Sequence, residues 1–338
     1  VCSSDLKKDD IFTGGREYYN HPNYKGNDKP TIIHQSSATG MQAIPTTGIA
    51  QGIKYLEKIK HDSLQGKSPV VICSLGDASV TEGEVSEAFQ FAALHQLPII
   101  YLVQDNDWGI SVTSKEARTC NAYEFIDGFK GINRVSLNGS HFIESYQTMQ
   151  KVIQEVRDNR IPYLVHAKVP LLGHHTSGVR KDFYREDSEL SNAYERDPYT
   201  LLKFLLLKEG VSESQLIEIE KETKEQVSQD FNSAIHAAEP DANDVSTFVF
   251  VPTPVTNEKG NRTPSNKEKV LMVDAALFAI REIMEQHPEA LLYGQDVGRR
   301  LGGVFREAAT LAEQFGDHRV FNTAIQEARS EEHTSELQ

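Results

Sequence analysis

The stretch PVVICSLGDASVTEGEVSEAFQFAALHQLPIIYLVQDNDWGISV, residues 69–112, decides which fold we expect. A β-branched run at 70–75 is followed by apolar residues at helical spacing and then by a second apolar run at 99–103. This order predicts a strand, a helix and a strand, which form a parallel βαβ unit. Thr81 and Glu84 have the spacing of a capping box, so we expect the helix to begin there.

Asp77 and Asn106 directly follow the two predicted strands. Because the carboxyl ends of parallel strands lie at one edge of the sheet, where ligands bind in α/β proteins, we expect both residues at a binding site. Their side chains offer hard oxygen atoms, which Mg²⁺ prefers together with phosphate oxygens. Either residue alone could be an ordinary helix cap or turn residue, but the pair at matching strand ends favours a metal site.

Length and composition narrow the class of protein. A chain of 338 residues is long enough for two domains, and a net charge of −14 argues against nucleic acid as the main partner. No apolar run approaches the length of a membrane span. Three cysteines with no metal-binding spacing indicate the reducing environment of the cytoplasm.

Strand and helix patterns alternate through the first two thirds of the chain, which predicts an α/β fold with a doubly wound, mostly parallel sheet. We expect a first domain at 7–237, a polar linker at 238–267, and the truncated start of a second, similar α/β domain at 268–328. Residues 1–6 and 329–338 read as foreign, adapter-like sequence. Within the first domain we expect a helix at 42–60 with a buried stripe of large aliphatic residues, and a helical stretch at 199–236. The stripe comprises Ile49, Ile53, Leu56 and Ile59.

The strand-end residues resemble the thiamine-diphosphate motif of the α subunits of 2-oxo acid dehydrogenases. The motif's Gly-Asp-Gly corresponds to Gly76-Asp77-Ala78, and its Asn-Asn corresponds to Asp105-Asn106. The resemblance implies the thiamine-diphosphate-binding fold, with Gly76 and Ala78 at the cofactor. It also implies that Asp77 and Asn106 bind Mg²⁺ through their side chains and that Trp108 does so through its carbonyl.

Two loops extend the resemblance. Ser-Ser-Ala-Thr at 36–39 stands where the family has Ser-Ser-Pro-Leu, which implies that Ser37 and Thr39 contact the cofactor. The segment around His175 is similar to the family's Gly-His-His-Ser-Thr-Ser loop, which ends in Tyr-Arg, here at 184–185. It implies proton transfer by His175, and His21 matches a second family histidine. From the residues alone, these histidines could equally belong to solvated loops.

The segment 268–328 resembles the start of the β subunit of the same enzymes, which makes Glu327 the catalytic glutamate that contacts the cofactor's aminopyrimidine ring. Without this resemblance Glu327 would be read as a surface glutamate. The resemblance to both subunits implies a fused α–β chain that forms a homodimer, and the fragment itself is expected to be inactive.

The implied function is the thiamine-diphosphate- and Mg²⁺-dependent oxidative decarboxylation of a small 2-oxo acid. The acyl group passes to a lipoyl-bearing acyltransferase in a multienzyme complex. The double histidine at 174–175 favours a branched-chain 2-oxo acid, with pyruvate or acetoin as the alternative. A different Mg²⁺-dependent, phosphate-handling enzyme and a non-catalytic assembly module are the more distant alternatives.

Overall fold

A computed structural model of the chain describes residues 7–8, 29–33, 38–64, 66–174, 180–247, 268–294, 296–299, 302–303 and 308–323. The chain divides into two compact units. Unit 1 consists of Val1–Gln51 and Lys67–Val249, and unit 2 of Gly52–Gly66 and Phe250–Gln338. The limit at Val249 falls inside the predicted linker at 238–267, and the predicted domain limits stay predictions.

Unit 1 contains most of the regular structure, and its first helix continues into the residues of unit 2. The helices are α1 (Ala43–Lys58), α2 (Gly83–His95), α3 (Ser114–Ala117), α4 (Ala122–Phe125), α5 (Phe142–Asn159), α6 (Asp187–Glu195), α7 (Pro198–Lys208) and α8 (Glu213–His236). The strands are β1 (Val71–Gly76), β2 (Ile99–Asp105), β3 (Trp108–Gly109), β4 (Val112–Thr113), β5 (Asn133–Asn138) and β6 (Tyr163–Lys168).

Four of these strands form one parallel sheet in the order β1-β2-β6-β5. The central strand β2 is the most apolar, and Ile99, Ile100, Tyr101 and Val103 are fully buried, as expected for a strand covered on both faces. The predicted α/β class with a parallel sheet is confirmed. In the register of β1 and β2, Gly76 pairs with Gln104, so these two strands end side by side.

Helix α2 buries the face predicted from its spacing, with Val85, Ala88 and Phe89 at most 1% exposed. Its predicted start was wrong, because a 3₁₀ turn at Ala78–Thr81 precedes the helix. The Thr81 hydroxyl donates to the carbonyl of Ala78 at 2.8 Å inside that turn. The helix therefore begins at Gly83 without a side-chain cap.

The predicted buried stripe of α1 was wrong, since Ile53, Leu56 and Ile59 are only partly buried. Ile49 is 36% exposed, whereas Ala43, Thr47 and Ala50 are buried. Small residues allow the helix to lie close to the sheet, and the Thr47 and Tyr101 hydroxyls are 2.6 Å apart. The Tyr101 hydroxyl also reaches the carbonyl of Ala88 at 3.1 Å.

The helical stretch predicted at 199–236 is two helices. Helix α7 ends at Lys208 and α8 begins at Glu213. Between them Gly210 has a φ of 91°, a left-handed conformation that glycine adopts without strain. Ser212 caps α8 by accepting from the amide of Gln215.

Unit 2 contains the helices α9 (Met272–Gln286) and α10 (Leu311–Phe315) and the strands β7 (Leu292–Gly294) and β8 (Val320–Asn322). The two strands pair in parallel, with Leu292 opposite Val320. Helix α9 packs through the face that carries Met284 against Leu311 and Val320. In the described part of the chain no helix is both long and apolar enough to span a membrane.

Candidate functional site

Asp77 and Asn106 lie at adjacent strand ends, as predicted. Asp77 follows β1 and Asn106 follows β2, and these strands are neighbours in the parallel sheet. The Asn106 amide donates to Asp77 Oδ1 at 3.4 Å. Two residues that are 29 positions apart therefore meet at one edge of the sheet.

The loop after Asn106 is tightly wound. Asn106 Oδ1 accepts a hydrogen bond from the Trp108 amide at 2.9 Å, and the carbonyl of Asp107 accepts from the Ser114 amide at 2.9 Å. Asp107 and Ile110 have φ values of 68° and 60°. A β-branched residue such as Ile110 in this region costs about 1–3 kcal/mol, and strain of this kind gathers at functional sites.

Close backbone approaches bring two more predicted segments to this edge. A Cβ at Gly109 would lie 3.1 Å from the Cβ of Ala78, so the loop lies directly against the turn that starts at Ala78. A Cβ at Gly40 would lie 3.0 Å from the Cβ of Glu82. The turn that contains Thr39 is therefore beside the start of α2.

Arg118, which was not among the predicted site residues, bridges two carboxylates at this edge. Its Nη2 donates to Asp77 Oδ2 and, at 3.2 Å, to Asp105 Oδ1. The side chains of Asp77, Asp105 and Arg118 are only 3%, 0% and 10% exposed. The signal in the sequence was Asp105 itself, because a carboxylate in place of the motif's first Asn adds a buried negative charge that needs a cation.

Asp105 is the most completely bonded carboxylate of the site. His166 Nε2 lies 2.7 Å from its Oδ2, and the Asp107 amide donates to its Oδ1 at 3.0 Å. Lys168 Nζ lies 3.5 Å from Oδ2 and also contacts the Asp107 carboxylate at 2.9 Å. On the far side of the imidazole ring, His166 Nδ1 is 3.0 Å from the Ser136 hydroxyl.

The two carboxylates have opposite pKa shifts. Burial raises the pKa of Asp77, and the nearby charge of Asp105 adds to this, so that the bonds from Arg118 and the Asn106 amide do not offset it. Burial alone would also raise the pKa of Asp105, but the bond from His166 and the other donors lower it overall. Asp77 is therefore the carboxylate whose ionised form gains most from a further cation.

The donor set fits a hard divalent cation. The Asp77 carboxylate, Asn106 Oδ1 and the Trp108 carbonyl are all oxygen donors, and a carboxylate has about four lone-pair positions, more than its two hydrogen bonds occupy. Within the described ranges, no group of three or more His, Cys, Asp and Glu side chains could hold a metal. A cation here would thus depend on amide, carbonyl and phosphate oxygens as well as on Asp77.

Trp108 also connects this edge to the end of the histidine loop. The Tyr184 ring lies 5.6 Å from the Trp108 ring, and the Arg185 guanidinium is 5.4 Å above it. Tyr184 Oη and Arg185 Nε are buried without a hydrogen-bond partner in the part of the chain that the structure describes. His21, Ser37, His175 and Glu327, which were also predicted for the site, lie outside the described residues.

Comparison with known proteins identifies relatives for most of the chain. Residues 7–243, more than half of the sequence, match the family described as "Dehydrogenase E1 component". The α subunit of the pyruvate dehydrogenase E1 component from Rickettsia bellii is 30% identical over 60% of this chain and 61% of its own length. The 2-oxoisovalerate dehydrogenase α subunit from Bacillus subtilis is 26% identical over 71% of this chain and 68% of its own length.

A third relative, the 3-methyl-2-oxobutanoate dehydrogenase α subunit from Mycobacterium tuberculosis, is 28% identical over 62% of this chain and 55% of its own length. The chain thus spans 61% of the length of the Rickettsia relative. For the other two relatives the spanned share of their length is 68% and 55%.

Proposed function

Because the chain belongs to the dehydrogenase E1 component family, we propose that it is the cofactor-binding part of a 2-oxo acid dehydrogenase that requires thiamine diphosphate and Mg²⁺. The observation that carries the proposal is the pairing of Asp77 and Asn106 at adjacent strand ends. Neither residue is needed to fold a βαβ unit, and together they offer the oxygen atoms that a magnesium–diphosphate group requires.

The residues have separate roles in this proposal. Asp77 and Asn106 hold Mg²⁺ through their side chains, and Trp108 does so through its carbonyl. Contacts to the cofactor come from Gly76, Ala78, Ser37, Thr39 and His175. Thiamine diphosphate supplies a thiazolium ring that accepts the electron pair released when CO₂ leaves a 2-oxo acid.

In this proposal, protein side chains orient the cofactor and transfer protons. Glu327 holds the aminopyrimidine ring of the cofactor through a hydrogen bond, and His175 and His21 donate or accept protons beside the substrate. The acyl group passes to a lipoyl-bearing acyltransferase, and the active protein is a homodimer of a fused α–β chain in the cytoplasm.

Branched-chain 2-oxo acids are the favoured substrates, because of the double histidine at 174–175. Two of the relatives carry branched-chain names, which supports this choice. Pyruvate is the second candidate, and the relative with 30% identity carries a pyruvate name. The catalytic efficiency of the complete enzyme on 2-oxoisovalerate and on pyruvate decides between them, with a ratio of about 10- to 200-fold expected for a change of one or two methylenes.

The proposed cofactor site can be tested directly on this chain. Trp108 is the only tryptophan, so its fluorescence reports on the site without a label. We expect thiamine diphosphate to quench it in a saturable way when Mg²⁺ is present and far less when EDTA replaces Mg²⁺. Asn106→Ala should weaken this binding at least about tenfold, which corresponds to one lost cation ligand.

Asn138→Ala is the matched control. Asn138 also ends a strand of the same sheet, and its Oδ1 accepts from the amide two residues on, at 3.1 Å, as Asn106 Oδ1 does at 2.9 Å. The control removes the same turn interaction at a different strand end, so it should leave the cofactor affinity within about twofold. Equal effects of the two substitutions, or binding that ignores Mg²⁺, would contradict the proposed site.

A further inference from the structure

Arg118 stands where a cation would be expected to act. Its guanidinium contacts Asp77, the proposed cation ligand, and also contacts Asp105 at 3.2 Å. All three side chains are buried, so water weakens these interactions little. The positive charge of Arg118 is the countercharge that Asp77 has in the structure.

A divalent cation bound to Asp77 would be close to this guanidinium. Two positive groups on one buried carboxylate repel each other, and this repulsion is stronger in a buried site than in water. Whatever Arg118 contributes to the stability of the cation-free site is therefore lost, in whole or in part, when a cation binds.

The structure also provides a place for the displaced charge. A cavity of about 240 Å³ adjoins Arg118, and its lining includes the acidic residues Asp107 and Glu124 and the basic residues Lys115 and Lys168. Arg118 itself follows the four-residue helix α3, whose side chains are not buried. The guanidinium thus has open space beside it, in a cavity whose acidic and basic side chains balance in number.

We propose that Arg118 competes with the divalent cation for Asp77 and thereby lowers the cation affinity of the site. Arg118 stabilises the paired carboxylates until the cation, with its diphosphate ligand, replaces it at Asp77. This inference rests on the proposed function in one respect, since it takes Asp77 to be a cation ligand. It makes Arg118 a positioning residue that sets the cation concentration at which the cofactor binds.

The test measures cation affinity and not activity. Free Mn²⁺ is followed by electron paramagnetic resonance while it is titrated into the full chain, with and without thiamine diphosphate. Arg118→Met should bind Mn²⁺ about 10- to 100-fold more tightly than the wild type, because it removes a competing charge and keeps side-chain length. The same variant should melt at a lower temperature than the wild type when no cation is present.

Lys168→Met is the matched control. Lys168 lies 3.5 Å from Asp105 and 2.9 Å from Asp107. The substitution therefore removes one positive charge from the same cluster, and this charge does not contact Asp77. It should change the Mn²⁺ affinity by less than about threefold, because its side chain is 41% exposed. If circular dichroism shows that Arg118→Met is unfolded, Arg118→Gln carries the same test, because its amide still donates to a carboxylate.

Two results separate the failure of this inference from that of the proposed function. Unchanged or weaker Mn²⁺ binding in the folded Arg118 variants would overturn the competition, since Arg118 would then support the site. Mn²⁺ binding that is absent from both the wild type and the folded Arg118 variants, or that Asp77→Ala leaves intact, would overturn both, because Asp77 would not be a cation ligand.

Discussion

Replacing Asp105 by two residues of similar size measures what its buried charge does. Asp105 is fully buried and accepts from the Asp107 amide, His166 Nε2 and Arg118 Nη2 at 3.0, 2.7 and 3.2 Å. Asp105→Asn keeps the shape and one oxygen acceptor, whereas Asp105→Leu keeps only the approximate volume. The two variants thus divide the effect of the charge from the effect of the hydrogen bonds.

Asp105→Asn should lower the free energy of unfolding by about 1–2 kcal/mol. Its oxygen can still accept from Arg118 and the Asp107 amide, and its NH₂ can donate to His166 Nε2 if the ring carries its proton on Nδ1, toward Ser136. Bonds to a charged acceptor contribute about 1 kcal/mol more than neutral ones, and the reduced cost of burying a charge offsets part of this.

Asp105→Leu should lower the free energy of unfolding by about 3–5 kcal/mol. It leaves the Asp107 amide and His166 Nε2 without their acceptor, and each unpaired buried donor costs about 1–3 kcal/mol. Arg118 keeps Asp77 as a partner, which prevents a larger loss. The measurement is equilibrium unfolding in urea followed through Trp108, which reports on unit 1 alone.

Asp107→Asn is the control for this pair. Asp107 is in the same loop and contacts Lys168, but its side chain is 53% exposed, so its loss should cost less than about 1 kcal/mol. Asn also tolerates the positive φ of this position. Equal losses for Asp105→Asn and Asp105→Leu, or a larger loss for Asp107→Asn, would refute the role given to the buried acceptor.

Three further predictions concern packing and reactivity in unit 1. Gly139→Ala should destabilise by about 1–3 kcal/mol in urea unfolding, since its Cβ would lie 2.5 Å from a valine methyl, while Gly128→Ala, with nothing within 4 Å, should stay within about 0.5 kcal/mol. Tyr101→Phe should lower the free energy of unfolding by about 1–2 kcal/mol in the same assay, because the buried Tyr101 hydroxyl has two hydrogen bonds. An unchanged free energy of unfolding would contradict these hydrogen bonds. Burial raises the pKa of Cys73 to about 12, so iodoacetamide at pH 8 should modify Cys120 and leave Cys73 unmodified until the chain unfolds, as peptide mass spectrometry can check.

The sequence predicted the parts of the fold that depend on periodic apolar residues. The first two strands of the central sheet and the buried face of α2 follow the spacing of apolar residues in the sequence. The prediction failed at α1, where Ala43, Thr47 and Ala50 pack inward. Small residues carry little hydrophobic signal, and only the tertiary structure reveals that a helix lies close to a sheet.

The candidate site was also predictable only in part. Asp77 and Asn106 could be placed together because each follows a strand, and the order of parallel strands brings their ends to one edge. Arg118 and His166 could not be placed there, since they reach Asp77 and Asp105 from 41 and 61 residues away, and His166 does so because its strand β6 pairs with β2. No local pattern marks a residue whose partner is set by the packing of another segment.

The presence of Asp105 explains why Arg118 is needed at this edge of the sheet. An Asn at position 105 would give this edge one buried carboxylate, and a divalent cation alone could balance it. Asp105 brings a second buried carboxylate next to Asp77, and two such charges cannot both stay ionised without a nearby positive group. Arg118 provides that group, with His166 and Lys168 on the other side of Asp105. A departure from the motif at one position therefore changes the electrostatics of the whole site, and it links the affinity for a cation at Asp77 to the position of one arginine.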